Sequence, residues 1–271
     1  MKKTWGDFRA KFARSDLHYD EVDKAKKITF LKVYDDLFRN NSGISYLTKS
    51  LGDIGKCSIG RGAKLKVGES IDYERFKPKK EYITDDNRFS PPGIEWLYLA
   101  LGSQDSVQNV AKQEIKILSG ERFGFCYFNL DKSFDEKKIV DLTVANGVKF
   151  DDINSALENH GQNCLQEGIK QALKTGKITD AKIDRDEFAK LLTQWGVFTY
   201  SKLLSEQIFL PVETNDKKLE YTPFQAMAKY FMSLEYVGII YGSTVSSDGK
   251  NIVLFDKNMA HPVGAINDVV V

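Results

Sequence analysis

The residues from 150 to 206 constrain this chain most. "DDINSALENHGQNCLQEGIKQALK" and "DRDEFAKLLTQWGVFTYSKLL" repeat apolar side chains with a helical period and carry few strand formers, so they predict amphipathic helices. Before them lie short β-rich runs punctuated by glycine: "GKCSIGRGAKLKVG", "IEWLYLAL", "FGFCYFNL" and "KIVDLTV". After them come "VGIIYG" and "NIVLFD". Strands on both sides of a helical block, without strict alternation, argue against a doubly wound fold and predict an α+β domain with a helical insertion at about 150–206.

Residues 22 to 39 place Ile28, Leu31, Tyr34, Leu37 and Phe38 at helical spacing, and "NNSG" ends the run, so residues 1–50 read as a helical extension ahead of a domain at 51–271. A further helix is expected from Ser106 to Leu118, and another over "TPFQAMAKYFMSL" with Pro223 in its first turn, where proline is tolerated. The last residues, "AHPVGAINDVVV", read equally as a frayed tail or an edge strand. The 271 residues, 42% hydrophobic, supply enough apolar surface for a core.

A formal charge of +1, from 39 basic and 38 acidic residues well interspersed, gives no electrostatic reason to expect nucleic acid or a membrane surface as ligand. The basic N-terminus "MKKTWGDFRAKFARS" lacks a signal peptide's apolar region, and no run of about 18 apolar residues occurs. Three widely spaced cysteines, Cys57, Cys126 and Cys164, fit neither a disulfide framework nor a zinc motif. "DAKIDRDEF" lacks the central glycine and twelfth-position glutamate of a calcium loop and reads as a helix start. The expectation is a soluble cytoplasmic protein without a metal.

Two positions break their local pattern. In the helix after "LYLAL", Val107, Val110, Ala111 and Leu118 define the apolar stripe, and Glu114 falls on it while Lys112, Gln113 and Lys116 face water. A carboxylate placed there needs a positive or donor partner. A structural salt bridge at a helix edge and a functional carboxylate in a cleft both satisfy that need, with Arg61 in "IGRGAK" and Arg88 in "DNRFSPPG" as candidate partners. The other break is "YGST" at 241–244, where a strand should still bury aliphatic side chains and Gly242 weakens it for no packing gain.

In order and local sequence these features resemble the RES domain family, named for its Arg, Glu and Ser. The resemblance covers roughly residues 56 to 256 and rests on two blocks, "NRFSPPGIEWLYLALGSQDSVQNVAKQE" and "YTPFQ" followed by "GIIYGSTVSSDGKNIVLF". Carried over residue by residue, the family arginine falls on Arg61, the glutamate on Glu114 and the serine on Ser243, with Arg88 and Tyr98 in the first block. Ser90 stands where the family usually has asparagine, Phe224 where threonine is common, and "RGAKL" lacks a second arginine. Tyr73, in the loop between the arginines, is a weaker pocket candidate beside a surface-loop reading.

The resemblance implies an ADP-ribosyltransferase-like split β-sheet core and cleavage of the nicotinamide–ribose bond of NAD. It also implies a growth-inhibiting toxin with a partner antitoxin of helix-turn-helix type. Nicotinamide leaves NAD as a neutral molecule and needs no general acid, so one carboxylate suffices where ordinary glycosidases use two. Glu114 would stabilise the oxocarbenium-like ribose, Arg61 and Arg88 would hold the diphosphate, and Tyr98 would stack on a ring. Gly242 would let ligand approach the backbone, with Ser243 hydrogen bonding to phosphate or ribose. ADP-ribosyl transfer to a macromolecule, with the insertion as docking surface, and a non-catalytic module binding NAD or a partner are the alternatives.

Overall fold

A computed structural model of the chain describes residues 2–39, 43–176, 185–209, 217–243 and 249–271. Among these residues there are eight strands: β1 (Thr48–Ser50), β2 (Ser58–Leu65), β3 (Leu97–Gly102), β4 (Arg122–Leu130), β5 (Lys138–Asp141), β6 (Gly238–Gly242), β7 (Lys250–Leu254) and β8 (Ala260–Val270). They form one unclosed sheet in the order β1-β5-β6-β7-β3-β2-β4-β8. Each neighbouring pair is antiparallel except β5 and β6. The flanking helices are α1 (Lys2–Ala13), α2 (Val22–Ala25), α3 (Thr29–Arg39), α4 (Leu51–Ile54), α5 (Val107–Glu114), α6 (Phe150–Thr175), α7 (Arg185–Phe209) and α8 (Lys217–Ser233). The fold is mixed α+β.

Strand alternation sorts side chains onto two faces. Ile59, Ala63 and Leu65 of β2, Leu97, Leu99 and Leu101 of β3, Ile240 of β6 and Ile252 of β7 share one core with Phe76. On the opposite face, Ala100, Phe123 and Phe125 pack with Val107, Val110 and Ala111 of α5. Beyond them on that face, Ile239 and Val253 meet the aromatic residues of α1, α3 and α8. Helix α5 sits close to β2 because of glycine. A Cβ on Gly62 would stand 2.8 Å from a ring carbon of Phe123 and 3.2 Å from the Ala111 carbonyl oxygen, and one on Gly60 would stand 2.3 Å from Phe125.

The β2–β3 ladder is short. It runs only from Ser58↔Gly102 to Gly60↔Ala100. Past that point Arg61 to Leu65 pair with β4 alone and Leu97 to Leu99 with β7 alone, so the sheet parts between β2 and β3.

The helical block is present as α6 and α7, and the C-terminal run is edge strand β8. Two helix boundaries differ from expectation. The helix expected over 22–39 is broken into α2 and α3, and α1 adds a helix that the sequence reading did not assign. From the N-terminal residues, Trp5, Phe8, Phe12, Phe30, Tyr34 and Phe38 are buried in the same cluster as Tyr230 and Phe231 of α8, and β1 is the sheet's edge. Helix α8 begins at Lys217, so Pro223 lies inside it and removes an intrahelical bond instead of occupying the first turn. The first half of the turn "SSDGKN" and the first half of "DAKIDRDEF" lie outside the described residues. Among the described residues no helix is long and apolar enough to cross a membrane.

Candidate functional site

The site is built from the end of α5 upward. The helix stops at Glu114, short of Leu118, because Lys116 adopts a left-handed φ of 51°. The Lys116 amide donates to the Gln113 carbonyl at 3.0 Å and the Ile117 amide to the Lys112 carbonyl at 3.3 Å, the paired bonds of a Schellman closure. Leu118, expected on the buried stripe, is 64% exposed. Glu114 keeps its inward place in the last helical turn and is half-buried.

An anion in that position faces the negative end of the helix dipole, so stabilisation has to come from elsewhere. The Ser243 hydroxyl donates to Glu114 Oε1 at 2.6 Å and the Asn251 amide donates to the same oxygen at 2.5 Å. Both donors are buried, 3% and 4% exposed. Glu114 makes no ion pair among the described residues, so in place of the salt bridge that one of the two readings called for it has two neutral donors. Its other oxygen, Oε2, carries no hydrogen bond among them.

The β6–β7 hairpin explains why those two donors meet. Tyr241 pairs with Asn251 and Gly242 with Lys250, and the Ser243 amide closes the ladder on the Gly249 carbonyl at 2.8 Å. Tyr241, Ser243 and Asn251 therefore share one face with Tyr98 and Ala100 of β3. Gly242 alternates to the far face with Lys250. The space left by its missing side chain does not lie on the Glu114 side, which corrects the role expected for it.

A second wall comes from the loop carrying "DNRFSPPG". Gln225 of α8, 2% exposed, donates to Asp86 Oδ1 at 2.8 Å and to the Asn87 carbonyl at 3.2 Å, tying the loop down just before Arg88. Ser90, fully buried, shares a 2.9 Å hydrogen bond with the Tyr98 hydroxyl. The Arg88 guanidinium lies 5.5 Å from the centre of the Tyr221 ring and 6.0 Å from that of Phe224, with no carboxylate partner among the described residues. Burial raises the Tyr241 phenol well above its ordinary range; Tyr98 and Glu114 push the same way and Arg88 opposes them. Phe89, the neighbour of Arg88 in the loop, packs its ring 4.9 Å from that of Tyr241, which brings the loop against the strand that leads to Ser243. Burial also raises Tyr98, so its hydroxyl stays protonated at neutral pH.

Comparison of the chain with family models, curated proteins and solved structures returns no match.

The structure brings together Glu114, Ser243, Arg88 and Tyr98, and separates Arg61 from them. Arg61 pairs with Cys126 in the β2–β4 ladder and alternates with Gly60 and Gly62, whose faces meet Phe125, Phe123 and α5. Its side chain therefore leaves the sheet on the face opposite Glu114, where Nη1 donates to the Phe76 carbonyl at 2.8 Å. The expected Arg61–Glu114 pairing is corrected by strand alternation. Tyr73 is exposed and donates to the Gly264 carbonyl at 2.5 Å, as the surface-loop reading has it. Among the described residues no three His, Cys, Asp or Glu side chains gather as metal ligands.

Asn251, Gln225, Tyr221 and Tyr241 lie in the quoted sequence blocks but were assigned no role. Period-two counting from Ser243 reaches Tyr241. Asn251 needs the hairpin register and Gln225 needs the position of α8 against a distant loop, neither of which a local pattern encodes.

Proposed function

We propose that this protein breaks the nicotinamide–ribose bond of NAD at the wall formed by Glu114, Ser243, Asn251, Arg88 and Tyr98, passing ADP-ribose to water or phosphate. One observation carries the reading: Glu114 has one oxygen fixed by two buried donors and the other unengaged among the described residues. A carboxylate held this way is preorganised. Its unengaged oxygen can accept from a ribose hydroxyl or face the developing oxocarbenium, and it reorganises little as charge appears. Neutral donors leave the full negative charge available, whereas an arginine partner would offset it.

The remaining parts have matching tasks. Arg88, without a carboxylate partner among the described residues and resting on aromatic faces, presents its fork to the diphosphate. Tyr98, Tyr221 and Tyr241 offer flat apolar surface to a departing ring. The parting of β2 from β3 supports the split-core architecture that the RES resemblance implies. In a cell, loss of NAD would halt growth, which makes the protein a toxin restrained by a partner antitoxin.

The test is release of free nicotinamide from NAD by the purified chain. Glu114→Gln should keep the fold and lose roughly 10²- to 10³-fold in turnover, the scale of one preorganised electrostatic group. Turnover near the parent's in that variant, or no nicotinamide from the parent chain, would sink the reading. Labelled ADP-ribose found on protein instead of in a small product would transfer the chemistry to a macromolecular acceptor.

A further inference from the structure

On the face opposite Glu114, between β2 and residues 66–83, lies a cavity of about 760 Å³. Five cations line it: Arg61, Lys66, Arg75, Lys77 and Lys79. Its three carboxylates are already engaged. Glu69 takes Arg75 at 2.8 Å, Glu74 takes Lys77 at 2.7 Å, and Asp72 caps the turn that starts at Tyr73 by accepting from the Arg75 amide at 3.2 Å.

Arg61 is left over. Its single hydrogen bond, to the Phe76 carbonyl, uses one of the N–H donors of the guanidinium, and no carboxylate pairs with it among the described residues. It is half-buried, and burial together with the like charge of Arg75 pushes its guanidinium down to about 10. The group remains a cation at neutral pH. A desolvated cation beside a second one is an unfavourable arrangement that a bound anion relieves twice, by Coulomb attraction and by filling the open donors. Water alone could solvate a small gap, but this volume falls within the roughly 300–1,000 Å³ typical of small-molecule sites.

We infer that this cavity is an anion site, separate from the wall around Glu114, which takes a phosphate-bearing small molecule on the open edge of Arg61. Glu69 and Glu74 hold Arg75 and Lys77 in place, and Arg61 supplies the fork that recognises phosphate oxygens. The site is independent of NAD cleavage: either can fail with the other intact.

Calorimetric titration of the full chain with inorganic pyrophosphate in chloride buffer tests it. The expected result is saturable binding with a Kd below about 1 mM, weakened at least about tenfold by Arg61→Gln and unchanged by Lys170→Gln, which removes an exposed cation of α6 outside the cavity. Because Arg61 also holds the Phe76 carbonyl, Ser70→Glu provides a second arm. This exposed residue lines the same cavity, and a new anion there should weaken binding by a similar factor without touching Arg61. No saturation up to about 10 mM, binding that survives both Arg61→Gln and Ser70→Glu, or an equal loss in Lys170→Gln, overturns the inference.

Discussion

Glu114 takes both of its hydrogen bonds on one oxygen, so its two donors share a single task. Removing either leaves the carboxylate with one donor and more rotational freedom. Ser243→Ala and Asn251→Ala should each weaken transition-state stabilisation by about 1–3 kcal/mol, read as kcat/KM for nicotinamide release, and the pair should fall short of additivity because one acceptor is shared. A full loss of folding in Ser243→Ala would instead give that hydroxyl a structural role. At this scale the sequence was partly legible. Helical periodicity put Glu114 inward, and the break at "YGST" marked Ser243. Arg61 was misread because a glycine-rich strand does not announce which of its faces meets the helix; Gly60 and Gly62 face α5, and the arginine between them points away.

Helix α5 holds Glu114 in register with the β6–β7 hairpin only while it can lie against β2. Gly62 sets that approach, since a β-carbon there would press on the Phe123 ring and the Ala111 carbonyl. Gly62→Val should therefore cost about 1–3 kcal/mol of stability, as overpacking does, and reduce turnover further than the fall in Tm explains, because the helix end moves with its carboxylate. Equal turnover per folded molecule would separate the helix seat from the chemistry. Element types were legible from periodicity, and ends were not. The stop of α5 depends on Lys116 adopting a conformation usually left to glycine, so sequence alone extended the helix to Leu118. Proline at 223 pointed to a helix start that tertiary packing of α8 overrode.

Across the whole molecule, the aromatic cluster joins the N-terminal helices to the sheet and to α8. Strands flanking a helical block gave the architecture, but no short window could place α1 against α8, two hundred residues away. The same cluster predicts a response to alkali. Burial raises the phenols of Tyr34, Tyr98, Tyr230 and Tyr241 above the ordinary 10.0. A folded-state pKa above the unfolded one gives stability that is complete below pH 10 and lost as the pH rises, since only the unfolded chain releases these protons readily. Denaturant midpoints measured from pH 8 to 11 should hold steady and then fall beyond about 10; a flat profile would place the phenols in water. Trp5 packs 5.4 Å from Phe224, whose ring also has the Arg88 guanidinium 6.0 Å away, and its buried indole N–H has no hydrogen-bond partner among the described residues. The indole is thus an optical probe built into the fold, one phenyl ring away from the charge assigned to the diphosphate, and with Trp96 and Trp195 replaced by Phe its emission should report on events at that guanidinium without any added label.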